Sequence, residues 1–200
     1  MKQLLSILAI LLSVASAGAR AQDRTATSLE SNARYSQDQM IALLNSCAPH
    51  AALNTMLAVA TTESDFHPYA ISINSPQKLA DKVGLANHAI ELARQPNSRL
   101  EAVLWMRWLL QRRISVSVGL LQVNTGNAAR FRLNPERLFD PCTNIAVGAN
   151  LLAEAYATQR LASPKNSDAL LRALSVYNSG TADFGFNNGY VDRILKNARP

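Results

Sequence analysis

Glu63 is the residue of this 200-residue chain whose setting best suits proton transfer. It stands in the stretch TTESDFHPYA, Thr61 to Ala70, at the end of an apolar helical pattern made by Leu53, Met56, Leu57 and Ala60. Asp65, His67 and Pro68 follow and stop that helix, because proline offers no amide donor and its predecessor avoids the α region. A carboxyl where an apolar helix meets a loop is partly desolvated, which raises its pKa, and a raised pKa makes a general acid near neutral pH. The plain alternative for the same residue is a solvated Glu at a helix end.

Two other places carry polar groups in apolar surroundings. Gln122 and Asn124 lie two apart in ISVSVGLLQVN, Ile114 to Asn124, either as satisfied core amides or as donors and acceptors for a sugar and its acetamido group. Tyr177 and Asn178 continue the apolar stripe of a later helix, which makes Tyr177 a candidate helix-end core residue. Trp105 and Trp108 have the faces to stack on sugar rings, but their stripe is also the usual buried face of a helix, and at least one is expected in the core. No HExxH, CxxC pair or phosphate-binding glycine loop is present, and His50, His67 and His88 are scattered. No Ser or Cys nucleophile has a base at recognisable spacing. Neither a metal nor a cofactor is expected.

Helices must position these groups. Ser36 and Gln39 form a capping box ahead of Met40, Ile41, Leu43 and Leu44, and Cys47 with Pro49 closes that helix. A second helix runs from about Ala51 to Glu63. The stretch Ile71 to Gln95 is weakly patterned, with turn formers Asn74, Ser75, Pro76 and Gly84 and a short helix near His88 to Arg94. Ser98 and Glu101 make a second capping box before Val103, Leu104, Trp105, Trp108 and Leu109. Ile114 to Val118 reads as extended, with Gly119 allowing a bend, and Asn127 to Phe131 as a short helix. Asp140 caps a helix with Pro141 in its first turn, running through Ile145, Ala149, Leu152 and Tyr156. Another starts at Ser167 or Asp168 and ends at Asn178 to Gly180. A loop from Phe184 to Gly189 leads to a last helix at about Tyr190 to Asn197.

Residues 1–21 read as a cleaved secretory signal: Lys2, the apolar LLSILAILLSVA, then small residues with A-x-A sites ending at Ala19 and Ala21, of which Ala21 is preferred. The run falls short of the ~20 apolar residues of a membrane span, so an uncleaved anchor is the lesser alternative. Residues 22–35 read as a flexible leader and 36–200 as one domain, a size suited to a single core. The chain is thus expected to be exported to the periplasm. Of its 20 Lys and Arg, Lys2 and Arg20 leave with the signal, so 18 bases face 14 acids, a net +4. That mild charge suits an anionic polymer such as a bacterial wall, and the absence of polybasic runs gives no sign of nucleic acid. Two cysteines in an exported chain, Cys47 and Cys142, suggest one disulfide closing about 95 residues, with two buried thiols as the alternative. The chain-entropy model gives such a loop roughly 4–5 kcal/mol as an upper figure.

Four pieces stand in order: Glu63-Ser64, GLLQVN at Gly119 to Asn124, VYNSG at Val176 to Gly180 and GYVDRIL at Gly189 to Leu195. Together they resemble the lysozyme-like lytic transglycosylases, which cut the glycan strand of peptidoglycan. FDPCTNIAVGANLL, Phe139 to Leu152, looks more specifically like the branch attached to conjugation and type IV secretion machines. The likeness covers roughly residues 36 to 197. It implies a mainly α, α+β lysozyme-like fold, with a helical domain and a small extended region around the cleft. It implies Glu63 as catalytic acid/base, and Ser64, Gln122, Asn124, Tyr177 and Asn178 as the residues of the substrate cleft. As partners it implies peptidoglycan strands and components of a type IV secretion or conjugation machine.

One position departs from the pattern. Relatives often carry Asp two residues before the motif glycine, where this chain has Ser117, and Ala102 to Pro135 holds no Asp or Glu. Glycosidases with two carboxylates need a second acid beside the scissile bond. Its loss favours transglycosylation, in which the sugar's own C6 hydroxyl attacks, over a hydrolytic muramidase. A wall-binding assembly protein without catalysis is the third reading, and an intact Glu63 argues against it.

Overall fold

A computed structural model describes residues 34–74, 92–163 and 165–198. The expected signal at 1–21, the leader up to residue 33 and the stretch 75–91, with most of the short helix expected near His88, lie outside the described residues.

Helix α1, Gln37–Cys47, opens on the expected box: Ser36 Oγ accepts from the Gln39 amide and Gln39 Oε1 accepts from the Ser36 amide. It buries Met40 and Leu44. Helix α2, Leu53–Ser64, buries Met56, Ala58, Val59 and Ala60. It ends four residues before Pro68, where Asp65 and Phe66 take left-handed φ values of 49° and 62°. Of the expected breakers Asp65, His67 and Pro68, Asp65 is the residue that caps it.

Strand β1, Ile71–Ile73, follows, then helix α3, Arg99–Gln111. Ser98 caps α3 as expected, accepting from the Glu101 amide. The Glu101 carboxyl does not complete the box, because it takes the Asn97 amide and pairs with Arg94 instead. The buried stripe of α3 is Ala102, Val103, Met106 and Leu109. Trp108 packs against the core, whereas Leu104 and Trp105 stay largely exposed.

Strands β2, Val116–Val118, and β3, Val123–Asn124, complete an antiparallel sheet in the order β1-β2-β3. Ser117 stands opposite both Ser72 and Asn124. Two 3-10 helices follow, Thr125–Phe131 and Pro135–Phe139, the first capped by Asn124. Helix α4, Pro141–Ala162, starts on Asp140, whose Oδ1 accepts from the Thr143 amide. Helix α5, Asn166–Ser179, ends on Gly180 at φ 78°. A turn of helix, α6, Phe184–Asn187, sits in the expected loop, and α7, Tyr190–Asn197, closes the described chain.

The long pair α4 and α5 pack along each other, α1 lies on α4, and α7 lies on α2. One core unites Met40, Val59, Met106, Leu109, Leu120, Leu121, Phe139 and Ile145. The mainly helical architecture with a small sheet is the one expected from the sequence. A Cys47–Cys142 disulfide, Cα atoms 5.1 Å apart, ties the end of α1 to the first turn of α4. No helix among the described residues is long and apolar enough to cross a membrane.

Candidate active site

A cleft of about 1040 Å³ runs between the sheet with its following 3-10 helix on one side and α4 and α5 on the other. Glu63, on the last turn of α2, opens onto it. The packing of α7 on α2 brings Tyr190 to Glu63, and the Tyr190 hydroxyl donates to Glu63 Oε1 at 2.5 Å. Tyr190 is only 2% exposed, so this phenol is a fixed part of the core rather than a mobile side chain. Burial pushes the Glu63 carboxyl up from 4.5 to about 7, against the Tyr190 hydrogen bond and the Arg193 charge, which both lower it. Burial and the nearby Glu63 charge raise the Tyr190 phenol far above its ordinary range, so it remains a donor at any ordinary pH. One carboxyl oxygen is thereby held by Tyr190, which leaves the other to carry the proton. A carboxylic acid still protonated near pH 7 is a general acid.

The residues after Glu63 are locked from the N-terminal side. Arg34 Nη1 donates to the Ser64 and Asp65 carbonyls at 3.0 and 2.8 Å and to Asp65 Oδ2 at 2.8 Å. The Tyr35 amide donates to the Phe66 carbonyl. A cation at a helix C-terminus satisfies the orphan carbonyls there, and two successive left-handed residues need such outside support. The last two residues of the expected leader therefore support the loop beside the carboxyl.

Gly119 to Asn124 forms the cleft floor. Gly119 adopts φ 79°, and a Cβ there would run into the Asn144 side chain and the Leu138 carbonyl. Asn144, 1% exposed, holds the turn: its Oδ1 accepts from the Leu121 amide, and its Nδ2 donates to the Val118 and Leu138 carbonyls, each at 2.8 Å. Gln122 sits at φ 45° with Nε2 donating to the Ala70 and Gly119 carbonyls, and its buried Oε1 has no protein donor. It lines the cleft, with its amide nitrogen held by the backbone and its Oε1 buried. Asn124 also lines the cleft while its Oδ1 caps the next helix through the Gly126 amide and its Nδ2 donates to Ser115 Oγ.

Tyr177 and Asn178 line the opposite wall. The Tyr177 hydroxyl donates to the Leu121 carbonyl at 2.6 Å, so it braces the floor and does not bond Glu63. Gly148 makes room for this brace, since a Cβ there would crowd Leu121 and come within 3.0 Å of the Tyr177 hydroxyl. Asn178 Oδ1 accepts from Asn188 Nδ2. Ser64 is not among the lining residues. Its hydroxyl is spent on the Leu120 carbonyl at 2.8 Å and the Ala60 carbonyl at 3.4 Å, joining α2 to the floor.

Sequence reasoning missed three residues. Tyr190 lay inside the GYVDRIL piece as its only side chain able to donate from the core. Asn144 was visible as an amide among the apolar residues that open α4. Glu154 was overlooked because acids were sought only around Ser117. It lines the cleft from α4, where Arg130 Nη2 donates to it at 2.7 Å. Ser117 itself faces the cleft in a neutral row with Ser72 and Asn124, its hydroxyl donating to Asn74 Oδ1. Among the described residues no three His, Cys, Asp or Glu are grouped to hold a metal.

The family model of the transglycosylase SLT domain matches residues 41–198. Protein virB1 of Agrobacterium fabrum (strain C58) is 36% identical over 148 residues, 74% of this chain and 54% of the relative. Protein virB1 of Rhizobium radiobacter is 33% identical over 148 residues, 74% and 56% of the two chains. The type IV secretion system protein virB1 of Brucella abortus biovar 1 is 30% identical over 164 residues, 79% and 63% of the two. The chain thus spans between about half and under two thirds of the length of these relatives. No solved structure matches it significantly.

Proposed function

The chain belongs to the transglycosylase SLT domain family, and on that premise we propose that it is a peptidoglycan lytic transglycosylase leaving 1,6-anhydro-muramic acid ends. The observation that carries this reading is the Glu63 carboxyl: desolvated, raised to about 7, pinned by Tyr190 and open to a cleft roomy enough for more than one sugar. Glu63 donates its proton to the glycosidic oxygen as the bond to C1 of muramic acid breaks. The positive charge left at C1 is shared with the ring oxygen and the substrate's own acetamido group. The C6 hydroxyl then adds to C1 and returns its proton to Glu63, so no water is consumed and the carboxyl is reset. An intramolecular nucleophile has a large effective-concentration advantage over a loose water. The neutral row of Ser72, Ser117 and Asn124 along the cleft offers hydrogen bonds to hydroxyl and acetamido groups.

Glu154 gives the muramidase reading one supporting observation, since it is a second carboxylate in the same cleft. Its pairing with Arg130 at 2.7 Å argues against a catalytic role, because the ion pair occupies the carboxylate that would have to hold a water. The Brucella abortus relative is named a type IV secretion system protein. We take the same setting for this protein: an exported, periplasmic enzyme that opens the wall locally for such a machine.

Glu63→Gln keeps the shape and the Tyr190 bond but has no proton to give. Wall digestion should drop at least ~100-fold with circular dichroism unchanged. Near-normal digestion by the folded variant would remove Glu63 from the mechanism.

A further inference from the structure

Arg130 and Glu154 are an ion pair with both members on the cleft wall, one from the 3-10 helix Thr125–Phe131 and one from α4. Of the ion pairs among the described residues, it alone lines the cleft with both its charges. Its side chains are 54% and 52% exposed. Such a pair adds little to stability, so exchanging its partners for a ligand costs little. Arg130 otherwise has only weak contacts among those seen, a long 3.4 Å bond to Asn127 Oδ1 and the Phe131 ring centroid 5.9 Å away. With its stems attached the glycan is uncharged, because the lactyl carboxyl of muramic acid is then an amide and the other groups are hydroxyl and acetamido. Charge on a peptidoglycan strand resides on the peptide stems. A guanidinium beside a carboxylate complements a group that carries carboxylate and ammonium together.

We infer that Arg130 and Glu154 form a specificity site for the zwitterionic end of a stem peptide, a free amine next to a carboxylate on its diamino acid. Arg130 takes the carboxylate and Glu154 the ammonium, each leaving the other for the ligand. Bidentate geometry suits the guanidinium to the first role. Cross-linking acylates that amine and removes its charge, so the site selects strands whose stems are not cross-linked. The inference rests on the glycan-cutting reading proposed above, and the test separates the two.

Three soluble strand preparations of equal length serve as probes: strands with free-amine stems, the same strands N-acetylated, and strands stripped of peptide with the freed lactyl carboxyls capped as amides. For the wild type, kcat/KM on free-amine strands should exceed that on each of the others about tenfold, through KM rather than kcat. Glu154→Gln should collapse the ratio of free-amine to acetylated strands towards one. Arg130→Gln should collapse the ratio of peptide-bearing to stripped strands. Ratios are read within each variant, so a general loss of activity or fold does not mimic the effect. Equal wild-type rates on all three overturn the inference while leaving the catalytic reading intact. A preference for peptide that acetylation does not change also overturns it, since the ligand is then a bare carboxylate. If no strand is cut, the catalytic reading fails, and fluorescence anisotropy of the three labelled strands with Glu63→Gln still decides whether the wall prefers the free amine.

Discussion

The Tyr190 hydroxyl donates to Glu63 Oε1 at 2.5 Å across 127 residues of sequence, joining the last helix of the described chain to the end of the second. Because Tyr190 is in the core, the bond fixes the carboxyl's orientation without exposing it to water. It also lowers a pKa that burial has raised. Removing the hydroxyl with Tyr190→Phe should therefore move the falling limb of kcat/KM upward from about pH 7, and lower the plateau roughly tenfold through lost orientation. A pH–rate profile checks both. A limb that stays in place or moves down contradicts the arrangement.

The raised pKa also costs stability. Glu63 shifts from 4.5 in the unfolded chain to about 7 in the fold, so between those values the native state holds the proton more tightly. The stability this contributes is fully present below about pH 4.5 and is lost as pH rises through 7. At pH 8 the ionised carboxyl is a burden of up to ~3 kcal/mol. Glu63→Gln should then resist urea better than the wild type at pH 8, by roughly 1–3 kcal/mol, with the gap closing towards pH 4.5. Equal stability at pH 8 would mean the carboxyl is solvated.

Asn144 bonds one amide and two carbonyls of the cleft floor and its neighbours, all buried. Asn144→Ala leaves these groups unpaired, and should lower unfolding free energy by roughly 2–4 kcal/mol in urea titrations. Activity should fall as well, because Leu121 and Gln122 lose their register. A loss under about 0.5 kcal/mol, typical of surface substitutions, would show that the floor is held by other contacts.

Much of this was legible beforehand, for local reasons. The Ser36–Gln39 box and the Asp140-Pro141 helix start are set by side chains bonding their own neighbourhood, and the Gly119 bend shows as a glycine in an apolar run. What escaped was long-range or backbone in origin. Nothing near Asp65 and Phe66 announces two left-handed residues, since Arg34 and Tyr35 stabilise them from thirty residues away. Tyr190 was read only as part of a motif, since its partner is on another helix. The partner of the Tyr177 hydroxyl, the Leu121 carbonyl, was not legible either, since Gly148 on another helix opens that space. Ser64 shares this pattern: a small polar residue next to Glu63 turned out to fasten the floor to α2.

The Cys47–Cys142 bond pins α1 to α4 behind the cleft. The Cys47→Ser, Cys142→Ser double variant should lose roughly 2–5 kcal/mol, and its melting should become insensitive to reductant. Unchanged stability would mean that packing of α1 on α4 already suffices.

The central claim is that one carboxyl does the cutting and the sugar's own C6 hydroxyl completes the reaction. Mass analysis of the muramic acid ends released from purified wall by the wild-type protein tests it most directly. The account predicts 1,6-anhydro ends, one water lighter than hydrolysed ends and inert to borohydride, and the same ends from Glu154→Gln with activity within about tenfold of wild type. Ends that retain the water and are reduced by borohydride, with Glu154→Gln as crippled as Glu63→Gln, would contradict it and make Glu154 the second acid of a muramidase.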